Sequence, residues 1–256
     1  MRVRELCLVA LLLLARISGA ASYDCEKASG FAESTVCAIE VLSSLDDDLS
    51  WAYTQALDEA ANPAEIKKAQ RDWLINVRNP CKSVECLDSA YHQRIDAVRK
   101  YDKYSWNTFI DKKLGVSFDH PSNRAIRVDY GTKRVKVISP IMRGDDYVVA
   151  FNIGRGDLRK AILKSGVFER RQGKWVANIG PGENDDAKEI SGTRWKGIST
   201  TIACGVEDED TGIRATGECL WAVFSDGRRF AITNTLGSVE IDERLLRTMK
   251  SFEFIE

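Results

Sequence analysis

Residues 70–95 read QRDWLINVRNPCKSVECLDSAYHQRI. Ahead of the proline, Ile66, Ala69, Trp73, Leu74 and Val77 return at three- and four-residue steps, the period of one helix face. Asn79-Pro80 then stops that helix, because the residue before a proline is pushed out of helical geometry. Beyond Cys86 the pattern restarts with Leu87, Tyr91, Ile95 and Val98. The stretch is therefore a helix, a break carrying Cys81 and Cys86, and a second helix.

The same period runs upstream. Leu42, Leu45, Leu49, Ala52, Tyr53 and Leu57 define another helix, and a shorter one is expected over Ala32–Ile39. Asn62-Pro63 separates two of these helices, with Pro63 in a first turn where its missing N–H costs nothing. Charge divides along the chain. Residues 24–65 carry ten acids against one base, Lys27, and residues 67–100 carry eight bases against four acids. Acidic and basic helices can neutralise each other within a bundle. Alternatively Asp46, Asp47, Asp48, Asp58 and Glu59 form an exposed acidic face for a cationic partner.

Arg2 and Arg4, the apolar run Cys7–Leu14 and the small residues Ser18-Gly19-Ala20-Ala21 have the layout of a secretory signal peptide over 1–21, cut after Ala20 or Ala21. The apolar run is short of the roughly 20 residues that span a bilayer. Of the seven cysteines, Cys7 lies in that segment. Cys25, Cys37, Cys81, Cys86, Cys204 and Cys219 remain, an even number that reads as disulfides in an exported chain. Cys204–Cys219 is expected across a hairpin. Among the first four, Cys25–Cys37 with Cys81–Cys86 is favoured and a crossed pairing stays open. No zinc site is expected from Cys81 and Cys86 with only His92 and His120 available, and no cofactor is expected.

From about Ser105 the texture becomes short alternating runs rich in β-branched and aromatic residues, such as Val135–Ile138, Tyr147–Ile153, Trp195–Ala203, Gly217–Phe224 and Arg229–Thr233. Gln172-Gly173 and Asp226-Gly227 supply turns between them. Asp157–Leu163 and Ile241–Met249 read as helices. The fold class is thus α+β: a disulfide-stapled helical bundle over 22–101, then a mostly antiparallel α+β domain over 105–256, with Tyr101–Tyr104 as hinge or as a continuation of the last bundle helix. The acidic run Glu207–Asp210 reads as a solvated hairpin tip.

Asp24-Cys25-x-Lys27-Ala28, Glu33, Cys37, Leu45-Asp46-x-x-Leu49 and Tyr53, followed by Gln70-x-x-Trp73-Leu74-x-x-x-Arg78-x-x-Cys81 and Cys86-Leu87-x-x-x-Tyr91-x-x-Arg94-Ile95, resemble the LprI-like domain, a lysozyme-inhibitor type formerly a domain of unknown function. The likeness spans about 75 residues, roughly a third of the chain after signal removal. It implies an exported bacterial binding protein, periplasmic or secreted, that blocks lysozyme or a related cell-wall hydrolase. This chain departs from the family's named lipoprotein in lacking a lipid-attachment cysteine and in its long second domain. Arg229–Thr233, then Leu245 through Phe252 and Phe254, is similar to the closing strand–helix–strand of PsbP-like folds.

Most motif positions suit structural work. Trp73, Tyr53, Tyr91 and Leu49 belong on apolar faces, and Arg78 or Arg94 is expected to bond Asp46 or Glu33 and fix the helix register. Catalysis is not expected. Every cysteine of the processed chain is oxidised in this reading, His92 lies on a solvent face and His120 in a turn, so no nucleophile has a base in reach. No basic, aromatic-interleaved patch points to nucleic acid. The partner surface is expected to comprise Asp46, Asp47, Asp48, Asp58 and Glu59, with Lys82 and Ser83 at the Cys81–Cys86 loop. The alternative is an assembly module whose α+β domain is the recognition surface.

Overall fold

The computed structural model describes residues 21–178, 187–207, 214–236 and 239–256. The expected signal segment, apart from Ala21, and the acidic run from Asp208 onward lie outside them. The chain forms two compact units, one of residues up to Tyr53 with Lys67–Lys100, the other of Thr54–Ile66 with Tyr101–Glu256.

The first unit is helical. Helix α1 spans Gly30–Ala38. Its entry is held by Glu33, whose carboxylate accepts the Ser29 backbone N–H at 2.9 Å. Helix α2 spans Glu40–Glu59 and α3 spans Pro63–Trp73, so each contributes residues to both units. Helix α4 spans Val84–Val98 and is capped by Ser83, whose hydroxyl accepts the Cys86 N–H. Such a cap contributes about 1 kcal/mol. The apolar period of α2 and α4 becomes the core: Leu42, Leu45, Leu49, Leu87, Tyr91 and Ile95 are all buried. Cys25–Cys37 and Cys81–Cys86 are the bridges formed here, not the crossed pairing.

After α3 the chain widens into a π-helical turn over Leu74–Arg78, where the Asn79 N–H donates to the Leu74 carbonyl five residues back. That wider turn shifts the side-chain phase. Val77, which a regular helix would put on the apolar face, is exposed, and Arg78 turns inward.

The second unit is built on a seven-stranded sheet in the order β3-β4-β5-β11-β10-β9-β8. Its strands are β3 (Ala125–Asp129), β4 (Arg134–Ile138), β5 (Val149–Arg155), β8 (Lys188–Ser191), β9 (Lys196–Glu207), β10 (Arg214–Ser225) and β11 (Arg229–Thr235). A three-stranded sheet joins β1 (Trp106–Asp111), β2 (Val116–Pro121) and β12 (Glu253–Phe254), and β6 (Phe168–Arg171) pairs with β7 (Lys174–Ala177). Every pairing among the described residues is antiparallel. Gln172 and Gly173, at φ 50° and 86°, make the β6–β7 turn, the left-handed pair that a two-residue hairpin needs. Cys204–Cys219 joins β9 to β10.

Alternation along the large sheet feeds two cores. Val149, Phe151 and Phe224 meet Phe118, Phe252 and Phe254, with Leu245 and Met249 of helix α6 (Glu243–Lys250). Val223, Phe230 and Ile232 face the other way, onto Ala161 and Ile162 of helix α5 (Leu158–Ser165).

Three expectations need correction. The division of the chain is not contiguous at 101–105. Residues 59–61 bond the supposed hinge directly: Ala61 N–H to the Asp102 carbonyl and Tyr104 N–H to the Glu59 carbonyl, both at 2.8 Å. Asn123 adds bonds to the carbonyls of Asp58 and Ala60. Tyr101–Tyr104 is therefore a paired segment. His120 lies buried in β2 and not in a turn, with Nδ1 2.9 Å from the Pro121 carbonyl.

Candidate functional site

Helices α1, α2, α3 and α4 carry the motif residues to one interior. Glu33, Asp46, Tyr53, Gln70, Trp73 and Arg78 line a cavity of about 310 Å³ together with Tyr23. Asp46 is 5% exposed. Its Oδ1 accepts the Tyr91 hydroxyl at 2.7 Å, and its Oδ2 accepts the Ser22 N–H at 2.9 Å and the Ser22 hydroxyl at 2.6 Å. Burial, reinforced by the Asp46 charge, pushes the Tyr91 phenol far up, and the same two causes hold Tyr23 at about 12. Arg78 donates to Glu33 at 3.1 Å and to the Asn79 side chain at 3.0 Å. Glu33 is held below the usual carboxylate range, first by the Ser29 N–H. Arg94 donates to the Gln70 side-chain carbonyl at 2.8 Å. Trp73 meets Tyr91 edge-on, with centroids 5.3 Å apart.

This arrangement holds helices together. Its carboxylates are engaged by fixed donors. Asp46, expected on an exposed acidic face, is internal. Helix geometry explains why: Asp46 shares the buried stripe of Leu42, Leu45 and Leu49, whereas Asp48 points out. Asp47 is partly covered, and burial raises its carboxyl.

Asp58 and Glu59 also leave the expected surface. Both belong to the second unit, where Glu59 accepts the Tyr101 hydroxyl at 2.9 Å and pairs with Lys103 at 3.0 Å. Asp58 is ringed by Arg124, Ser139 and Arg244. Lys82 and Ser83 are exposed at the Cys81–Cys86 loop, though the Ser83 hydroxyl is committed to the α4 cap.

What remains outside on α2 is a mixed face. Val41, Ser44, Asp48 and Trp51 follow one another at three- and four-residue steps and are all exposed, Val41 at 64% and Trp51 at 60%. Sequence reading missed Trp51. The available signal was its phase: it falls between Leu49 and Ala52, off the apolar stripe. A tryptophan there has no core to enter, and exposed aromatics are frequent interface anchors.

The second unit has a basin of its own, about 410 Å³, above β3, β4 and β5. Arg127 and Lys136 face each other across the β3–β4 register, and Arg134 stands opposite Asn152. Arg134 and Lys136 both lie over the Tyr147 ring, at 5.0 and 5.4 Å. The Arg134 Nε is buried without a hydrogen-bond partner. Asp145, 91% exposed, is the carboxylate paired with Arg127 and Lys136. No helix among the described residues is long and apolar enough to cross a membrane. No protein-family model matches the chain, and no curated protein does either.

Proposed function

We propose that this is an exported bacterial binding protein whose helical unit docks on a cationic cell-wall hydrolase of the lysozyme kind and inhibits it. The observation that carries this reading is the α2 face, where Trp51 and Val41 flank Asp48. An aromatic anchor beside a carboxylate suits a basic, partly apolar partner surface: the ring supplies affinity, the charge steers encounter. Disulfides in both units support work in an oxidising compartment. The resemblance to the LprI-like domain supports the choice of partner. Because lysozymes cleave with two carboxylates in a cleft, the blocking group is not itself an acid, and Lys82 at its exposed loop suits that role. In a turbidity assay of lysozyme on cell walls, the protein is expected to inhibit at micromolar concentration. Trp51→Ala should weaken inhibition at least about tenfold, the effect of a hot-spot residue. Absence of inhibition across several lysozyme types would overturn the proposal.

The basin favours a second reading, in which the α+β unit recognises an anionic partner. Its cations sit on the paired strands β3 and β4, and Arg134 has an unused donor. A soluble polyphosphate is then expected to bind in a calorimetric titration, and Arg134→Ala with Lys136→Ala to abolish the signal. No heat from the unaltered protein counts against this reading.

A further inference from the structure

Asp46 is a buried carboxylate whose three donors are all neutral while the chain continues upstream of Ser22: a phenol, a hydroxyl and a backbone amide. No cation lies within ion-pair distance of it among the described residues. Arg78, the basic residue lining the same cavity, bonds Glu33 and Asn79, and its charge reaches the Tyr91 phenol but makes no ion pair with Asp46. Buried charges are normally paired, because desolvation without a counter-charge is costly.

We infer that signal peptidase cuts between Ala21 and Ser22, and that the ammonium released at Ser22 is the missing counter-ion of Asp46. The bond cleaved is the Ala21–Ser22 peptide; water supplies the new carboxylate on Ala21 and the new amine on Ser22. The Ser22 nitrogen already stands 2.9 Å from Asp46 Oδ2. Proteolysis thus changes its charge at an occupied position. A cut after Ala20 would leave that nitrogen an amide and place the ammonium one residue away. The inference rests on the export reading and deepens it: processing would complete the helical unit only after export.

The new amine also gives the fold a pH signature. An α-amine ordinarily titrates near pH 8. Pairing with Asp46 raises its value in the folded state, so its contribution is full below about pH 8 and disappears as pH climbs through the raised value. The charged and titratable groups around it are Asp46 and Asp47 on α2, Tyr91 on α4, Arg78, Glu33 and Tyr23. The two phenols are held at about 12 or above, so neither changes charge in the window from pH 8 to 10.

Intact-mass measurement of the exported protein tests the site, and a chain beginning at Ser22 is expected. A start at Ala20, Ala21 or elsewhere overturns the inference and leaves export standing. A chain that keeps its first 21 residues overturns both. The pairing is tested by melting two full-length processed forms, one starting at Ser22 and one extended by Ala21, which retains the amide donor but not the charge. The Ser22 form is expected to melt on the order of 4 °C higher at pH 7. That gap should close by pH 10 and be absent between the Asp46→Asn versions. Equal melting of the two forms at pH 7 overturns the ion pair, whether or not Asp46→Asn folds.

Discussion

Replacing Asp58 by alanine is expected to destabilise the second unit by about 3–5 kcal/mol, the usual cost of breaking a buried pair from one side. The Asp58 side chain is 15% exposed and that of Arg124 is 5% exposed. Oδ1 accepts both Arg124 Nη1 and the Ser139 hydroxyl at 2.6 Å, and Oδ2 accepts Arg244 Nη1 at 2.6 Å. Alanine would leave a buried guanidinium with no counter-charge, beside a serine with no acceptor. The loss should propagate to residues 59–61, whose pairing with residues 102–104 begins one position further on. The pH dependence has a definite sign. Burial alone would raise the Asp58 carboxyl; the Arg124 and Ser139 bonds and the Arg244 charge overcome that and bring it from 3.8 to about 2. A folded value below the unfolded one contributes stability above about pH 4, and that contribution is lost as pH falls toward 2. The contribution is about 2 kcal/mol. Urea midpoints at successive pH values check this: the native protein should approach Asp58→Asn as pH drops from 5 to 2. Parallel curves would contradict it.

Phe252→Ala should cost the same unit about 3–5 kcal/mol for a different reason. Phe252 is wholly buried. Its ring stacks on Phe118 and meets Phe151, Phe224 and Phe254, with centroids between 4.9 and 6.2 Å away. Its carbonyl accepts the Trp195 indole N–H at 2.6 Å. The four phenylalanine neighbours come from separate strands, so none can collapse into the space without moving its own backbone, and a cavity persists. Denaturant unfolding should show a lower midpoint at unchanged slope. A loss under about 1 kcal/mol would mean that the site collapses and that this ring cluster is not the centre of the unit.

The helical period was legible in α2 and α4, but less so in α3, where Ala69 is exposed and Ile66 only partly covered. Leu42, Leu45 and Leu49 entered the core as their spacing implied, and so did Leu87, Tyr91 and Ile95. It failed at Val77 because a π-helical turn resets the phase, and nothing local in Leu74–Arg78 announces that turn. The alternating runs of the second unit and the turns at Gln172-Gly173 and Asp226-Gly227 could be read from residue type. The short strands β1 and β8 could not, since their identity depends on the neighbour they pair with. The acids were harder still. Asp46 and Asp48 are two positions apart and differ in fate through helix phase alone. Asp58 finds Arg124 and Arg244 across sequence separations of 66 and 186 residues, a pairing that no local pattern carries. Charge counting therefore overstated the acidic face, and the apolar stripe of α2 concealed the exposed Trp51 beside it.

Calorimetric titration of the processed protein with a cationic lysozyme bears most directly on the central claim, that a helical surface carrying Trp51 and Asp48 recognises such an enzyme. Saturable binding is predicted, weakening as salt rises from about 0.05 M to about 0.5 M. Trp51→Ala, with its helical circular dichroism unchanged, should lose that binding. No saturable heat, or a Trp51→Ala protein that binds as tightly as the original, would contradict it.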